Sequence, residues 1–218
     1  MRDPDAGHHA MLAHLREERA CEEDVLTAMG SLRRRDFLPP ETRAEADSLR
    51  PVPIGYGQTM SAPFIVASMT ALLELAPGQS VLEIGTGCGY QSAVLLRMGV
   101  RLWSIEFKPE VAALGAANLA RHGLAAHLRV GDGSFGWPEA APFDRILVAA
   151  TAPRVPEALL AQLAPGGVLV LPVEVGGGNP RRESMVRVRK DPDGTTRTET
   201  LYGVRFVPML GAVRSPGP

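Results

Sequence analysis

Apolar residues recur at helical spacing near the start of the chain and then in alternating strand-like and helix-like runs. Met11, Leu12, Leu15, Val25, Leu26 and Met29 follow a patchy helical period, which predicts one or two amphipathic helices. Pro39, Pro40, Pro51 and Pro53 interrupt the next stretch and predict irregular, extended chain. Residues 1–60 are therefore expected to form an N-terminal cap, part of the same domain as a core at 61–218. Ile65, Val66, Met69, Leu72 and Leu73 mark one face of a further helix, with Pro63 in its first turn and Ser61 available as its N-cap. Short apolar runs at 81–84, 102–105, 128–130, 144–150 and 168–171 read as strands. Segments 90–98, 109–122 and 156–163 between them read as helices, and Pro165-Gly166-Gly167 as a turn. Strand and helix alternating at this spacing predict an α/β fold, a mostly parallel central sheet with helices on both faces. Two extended runs, 184–189 and 198–207, flank the turn Asp191-Pro192-Asp193-Gly194 and predict an antiparallel C-terminal hairpin on the sheet edge.

Composition narrows the classes of function. The 218 residues suit one domain with a short appendage, and 45% apolar against 22% charged residues is ordinary globular composition. A net charge of −1 gives no whole-chain field for nucleic acid, so no nucleic-acid partner is expected. The local basic clusters, Arg33-Arg34-Arg35 and Arg181-Arg182, read as solvated surface arginines. Cys21 and Cys88 lie too far apart to form a disulfide framework, the first ten residues have no apolar signal region, and no run is long enough to span a membrane. A cytoplasmic protein, a monomer with no membrane partner, is expected. His122 and His127 flank a turn without ligand partners, so no metal site is expected.

The strongest local signal is Glu83-Ile84-Gly85-Thr86-Gly87-Cys88-Gly89-Tyr90, between a strand and a helix. Glycines there let the backbone turn tightly and approach a ligand. In open α/β sheets that position borders the ligand crevice. A dinucleotide site calls for G-x-G-x-x-G, whereas the spacing here is G-x-G-x-G, at Gly85, Gly87 and Gly89. Glu83 would repel a pyrophosphate but could hold an amino acid's ammonium group, directly or through water. This favours S-adenosylmethionine, with S-adenosylhomocysteine as product. Glu106 ends the next strand and suits the ribose hydroxyls of an adenosine ligand. Asp132, in Gly131-Asp132-Gly133 after the third strand, could meet the adenine amino group, with Trp137 near enough to border the ring. The expected cofactor contacts are Glu83, Gly85, Thr86, Gly87, Gly89, Glu106, Asp132 and Gly133.

One upstream block carries more specificity than the glycine loop. Gly57-Gln58-Thr59-Met60-Ser61-Ala62-Pro63 follows Pro53-Ile54-Gly55-Tyr56, and Val204-Arg205-Phe206-Val207-Pro208 closes the chain's patterned part. In that order, with the glycine loop between them, these segments resemble the protein-L-isoaspartate O-methyltransferases over about residues 30–212. The resemblance implies a Rossmann-like S-adenosylmethionine-dependent methyltransferase fold. It also implies methylation of the free α-carboxylate of isoaspartyl residues in damaged proteins or peptides, whose esters close to succinimides without the enzyme. It assigns catalytic roles to Ser61 and Thr59, whose hydroxyls can orient a carboxylate.

The chain departs from that family's pattern in places. Ala46-Asp47-Ser48-Leu49-Arg50 lacks the usual tyrosine, Val148-Ala149-Ala150-Thr151 lacks a threonine after the fourth strand, and Cys88 replaces serine. A glycine-rich loop at 173–180 is expected to be mobile. The cap differences leave open a relative that methylates an aspartate side chain of a dedicated peptide. A Rossmann oxidoreductase is disfavoured by Glu83 and the glycine spacing, and a non-catalytic cofactor-binding module by the retained Thr59 and Ser61.

Overall fold

A computed structural model describes residues 5–176 and 182–214. The chain begins with α1 (Ala6–Glu17) and α2 (Glu23–Gly30), two helices where the apolar period was patchy. The proline-rich stretch is more regular than expected. It forms 3-10 turns at Arg34–Phe37 and Pro40–Glu45, then a small antiparallel hairpin of β1 (Val52–Gly55) and β2 (Gln58–Met60). Proline fits both settings, since the first residue of a turn and an edge position need no backbone N–H. Arg34 is also a correction to the surface reading of its triplet. It is fully buried, whereas Arg33 and Arg35 pair with Asp5 nearer the surface.

The middle of the chain follows the expected alternation. It runs through α3 (Pro63–Leu72), β3 (Ser80–Ile84), α4 (Tyr90–Arg97), β4 (Arg101–Glu106), α5 (Pro109–Arg121), β5 (His127–Val130), β6 (Phe143–Val148), α6 (Glu157–Gln162) and β7 (Leu163–Val175). Strands β3 to β7 are parallel, and β8 (Arg182–Lys190) and β9 (Thr196–Val204) complete the sheet as an antiparallel edge hairpin. Both faces of the sheet are buried at its central strands, as parallel strands require, while the edge strands β5 and β9 are largely exposed. Leu82, Ile146, Leu169 and Leu171 pack with Leu159 of α6 on one face. Val81, Leu147, Val168 and Val170 pack with Met69 of α3, Leu73 just after it and Leu95 of α4 on the other. Leu15, Val25, Leu26 and Met29 of the first two helices join Val66, Ala93, Val94 and Leu119 in a third cluster.

Two details differ from expectation. The turn at 165–167 is a bulge inside β7, between the pairs Phe143–Leu163 and Arg145–Val168, with Gly166 at φ +77°. The last strand stops at Val204, short of 207, because the chain then leaves the edge and crosses to the ends of the parallel strands. There Thr151 N–H donates to the Val207 carbonyl and Met209 N–H to the Thr151 carbonyl. Residues 177–181, with Gly177 and Gly178 of the glycine-rich loop and Arg181 of the second basic pair, lie outside the described residues. Among the described residues no helix is long and apolar enough to cross a membrane.

The strand order β5-β4-β3-β6-β7-β8-β9 fixes where a ligand can sit. The chain moves outward from β3 through β4 to β5, then returns to the other side of β3 as β6. The reversal lies between β3 and β6, and the crevice of an open α/β sheet opens at the carboxyl ends of such a pair.

Candidate functional site

The loop leaving β3 has the backbone its glycines predict. Gly85, Gly87 and Gly89 have φ of +98°, +58° and +84°, which L side chains rarely adopt. Gly85 and Gly87 line an open crevice with about 810 Å³ of empty space, together with Thr86 and Cys88. Gly89, the third expected contact, does not line it. A Cβ there would lie 3.0 Å from the Gly115 carbonyl and 3.3 Å from Leu119 Cγ, so Gly89 brings α5 close to the loop. Gly115 answers it from within α5. A Cβ at Gly115 would stand 2.8 Å from the Gly87 carbonyl and 2.9 Å from Thr86 Cγ2. A glycine inside a helix ordinarily costs stability; here it lets the helix lie directly on the loop. In the sequence its only signal is an isolated glycine in an alanine-rich helix.

Other parts of the chain close the crevice. Glu106, at the end of β4, lines it with a carboxylate fixed by two backbone donors. Gly87 N–H donates to its Oε2 at 3.0 Å and Lys108 N–H to its Oε1 at 3.1 Å. The exposed ring of Phe107 stands beside it and was not foreseen. Thr86 lines the wall, its hydroxyl 2.6 Å from Ser104 Oγ. Gly133 lines the far end, where a Cβ would sit 2.2 Å from Ile84 Cγ2, so only glycine lets the chain pass there. Residues from Gln58 to Ser61 and from Val207 to Leu210 also line it.

Two predicted contacts are placed differently. Glu83 is fully buried and does not line the crevice. Its Oε2 accepts from Ser104 Oγ at 2.7 Å and from Ser92 Oγ, and its Oε1 has no partner. Direct contact with an ammonium group in the crevice is thereby corrected, because the strand carries this side chain under the loop. Asp132 is also absent from the lining. Its Oδ1 accepts from Ser134 N–H at 2.9 Å and Ser134 Oγ at 2.7 Å, and its Oδ2 from Ala212 N–H at 2.7 Å. It caps a turn and ties down the C-terminal segment. Trp137 is similarly occupied, with the Arg129 guanidinium 3.9 Å from its ring centroid. His122 and His127 stack on Phe37 and Trp103, with centroids 4.6 and 4.8 Å apart.

Burial pushes the Glu83 carboxyl up to about 7, opposed by the hydrogen bonds from Ser92 and Ser104 and slightly reinforced by Glu106. Its folded pKa lies above its ordinary value of 4.5. The folded state therefore holds a proton that the unfolded chain gives up between those two values. This group's contribution to stability is full below pH 4.5, falls as pH rises, and is gone above about 7. Glu83→Gln removes the titration and leaves an oxygen for both serine hydroxyls. Denaturant melts of the cofactor-free chain at pH 5.5 and 8 should show a smaller loss of stability in the variant than in the parent. Equal losses in the two proteins would mean that Glu83 is ionised throughout.

A second pocket adjoins the crevice. Pro51, Ile65 and Phe206 give it apolar walls, and Arg205 brings a positive charge. Arg205 is exposed and has no ion-pair partner among the described residues. Its motif segment was noted in the sequence, but its place in a pocket depends on the crossing after β9. Thr59, Ser61, Ala149 and Val207 line both cavities and form the passage between them. Ser61 is not the N-cap of α3. Ala62 holds that position, and no side chain caps the helix. The Ser61 carbonyl accepts from Arg34 Nη1 at 3.1 Å. The hydroxyls of Ser61 and Thr59 have no hydrogen-bond partner among the described residues.

The family model for protein-L-isoaspartate(D-aspartate) O-methyltransferase matches residues 6–214. The chain is 53% identical over 188 residues to a protein-L-isoaspartate O-methyltransferase of Anaeromyxobacter dehalogenans, covering 85% of this chain and 88% of that one. A solved protein-L-isoaspartate O-methyltransferase superposes with a TM-score of 0.83 at 24% identity, over 93% of this chain and 66% of the other. A Plasmodium falciparum chain, named as a beta-aspartate methyltransferase of this kind and solved with S-adenosyl-L-homocysteine, gives 0.80 at 22% identity, over 93% and 98%. The two structures share the fold.

Proposed function

The chain belongs to the protein-L-isoaspartate(D-aspartate) O-methyltransferase family, and on that premise we propose that it transfers a methyl group from S-adenosylmethionine to the free α-carboxylate of isoaspartyl residues. The observation that carries this reading is the pair of unpartnered hydroxyls, Ser61 and Thr59, at the passage between a glycine-walled crevice and a pocket bearing Arg205.

The residues around the crevice fit the cofactor. Glu106, held by two backbone donors, suits ribose hydroxyls, and the exposed Phe107 ring suits an adenine face. The positive φ of Gly85 and Gly87 brings bare backbone to the crevice wall. The unpartnered Glu83 Oε1 beneath the loop fits an ammonium group reached through water. When bound, S-adenosylmethionine supplies an electrophilic sulfonium methyl.

The chain's own work is then positioning. A carboxylate with a pKa of about 4 is already ionised at neutral pH and needs no general base. Ser61 and Thr59 orient it by hydrogen bonds, Arg205 attracts it into the pocket, and the apolar walls exclude water. Holding the two reactants in line can supply several kcal/mol of the barrier reduction, up to about 7–11 kcal/mol in well-oriented systems.

Cys21 and Cys88 are free thiols, which suits a reducing compartment such as the cytoplasm. The isoaspartyl reading makes the partner a damaged protein or peptide, and a net charge of −1 gives no field for nucleic acid. Methyl transfer from labelled S-adenosylmethionine should occur with a peptide bearing isoaspartate and not with matched aspartyl or asparaginyl peptides. Equal transfer to the aspartyl peptide would instead favour a side-chain carboxyl methyltransferase, the alternative raised by the missing tyrosine at 46–50.

A further inference from the structure

Arg34 is a buried cation with an unusual set of neighbours. It sits in the turn Arg34–Phe37, is fully inaccessible, and among the described residues forms no ion pair with a carboxylate. Its Nε donates to the Ala46 carbonyl at 2.7 Å and its Nη1 to the Ser61 carbonyl at 3.1 Å. Its guanidinium carbon lies 5.2 Å from the centroid of the Tyr90 ring. Burial lowers its pKa from the ordinary arginine value. Leaving a charge buried without a carboxylate is costly, and a core that needed only volume would do as well or better with an apolar side chain. The neighbours explain the retention. Ala46 belongs to the cap, Ser61 to the passage between the two cavities, and Tyr90 begins the helix that follows the glycine loop.

We propose that Arg34 is a positioning residue for methyl transfer: it fixes the Ser61 backbone, and so the Ser61 hydroxyl, against the cofactor side of the site. The proposal rests on the carboxyl methyltransferase reading above and on the role of Ser61 in it. The planar fork suits the task because it holds two carbonyls at fixed separation while its face rests on an aromatic ring. A lysine ammonium is a point charge that offers no such plane. Ser61 sits in a short connection between β2 and α3 without a cap bond of its own. The Arg34 hydrogen bond to its carbonyl is therefore the side-chain restraint on its position.

The test is a double-mutant cycle of Arg34→Lys, and separately Arg34→Met, with Ser61→Ala. Melting temperature and S-adenosylhomocysteine affinity are measured beside kcat and KM for an isoaspartyl peptide. Arg34→Lys and Arg34→Met should lower kcat/KM by about 10- to 100-fold, the scale of a misplacement near 1 Å, with S-adenosylhomocysteine affinity within about threefold. In the Ser61→Ala background the same changes should cost less than about twofold, because the group they position is already gone. Losses of equal size in both backgrounds would overturn the proposal, as would full activity of Arg34→Lys. Loss of the melting transition in both Arg34 variants would assign the residue to the fold and overturn it as well. A parent protein inactive on the isoaspartyl peptide would reject the functional reading itself, with the role of Ser61 on which this inference rests.

Discussion

Ser61→Asp should give a stable chain that binds S-adenosylhomocysteine normally and methylates no isoaspartyl peptide. Three features of the structure lead there. The residue lies just ahead of α3, whose N-cap is Ala62, so its hydroxyl is not needed to start the helix. A carboxylate near a helix N-terminus interacts favourably with the helix dipole, so aspartate should not unfold the segment. The Ser61 side chain lines both the crevice and the Arg205 pocket, so a fixed negative charge there meets an incoming carboxylate directly. Like-charge juxtaposition costs several kcal/mol, which corresponds to a loss of about 1000-fold or more in turnover. Ser61→Ala removes only an orienting hydrogen bond to a charged group, worth about 1.5–3 kcal/mol, and should slow transfer by about 10- to 100-fold. Initial rates with labelled S-adenosylmethionine, read beside calorimetric cofactor affinity, separate these outcomes. An active Ser61→Asp enzyme would move the reacting carboxylate away from this passage.

The order of elements was legible because parallel strands buried on both faces appear as short apolar runs ended by glycine, as 81–84 does before Gly85. The hairpin of β1 and β2 was not. Strands of four and three residues, interrupted by Pro53 and Gly55, carry no period to read. At the site, sequence order located the loop and the strand-end carboxylate Glu106, but not the depth or direction of side chains. Glu83 lies beneath the loop, and the oxygens of Asp132 hold Ser134 and Ala212, facts that depend on strand register and on where the chain's end returns. Arg34 looked like its neighbours Arg33 and Arg35, since a short 3-10 turn sends adjacent residues in different directions without an apolar pattern to mark which is inside. Arg205 reaches the pocket only because the chain leaves β9 and crosses to the ends of the parallel strands, a tertiary connection with no local signature.

The contact between α5 and the glycine loop carries the other large effect. Gly115→Val should weaken S-adenosylhomocysteine binding measurably against the parent. The Cβ alone would enter to 2.8 Å of the Gly87 carbonyl and 2.9 Å of Thr86 Cγ2, and both are held in place. Gly87 is bonded through its N–H to Glu106, and the Thr86 hydroxyl is bonded to Ser104. Neither can yield without moving crevice wall, so strain that would ordinarily be absorbed by a flexible side chain is passed to the cofactor site. Overpacking of this kind costs about 1–3 kcal/mol. If all of it falls on the bound geometry, affinity drops by about 5- to 150-fold. Gly115→Ala sets helix propensity against the same close approach. It gains up to about 1 kcal/mol in the helix yet should still weaken binding, so stability and affinity are expected to move in opposite directions or to part company. Gly30→Ala is the control, because its Cβ would meet only Leu12 Cδ1 at 3.4 Å, far from the crevice, and it should leave affinity unchanged. Calorimetric titration of the four proteins decides the matter. Parent-like affinity in Gly115→Val would show that α5 can withdraw without disturbing the loop, and that the paired glycines serve packing alone.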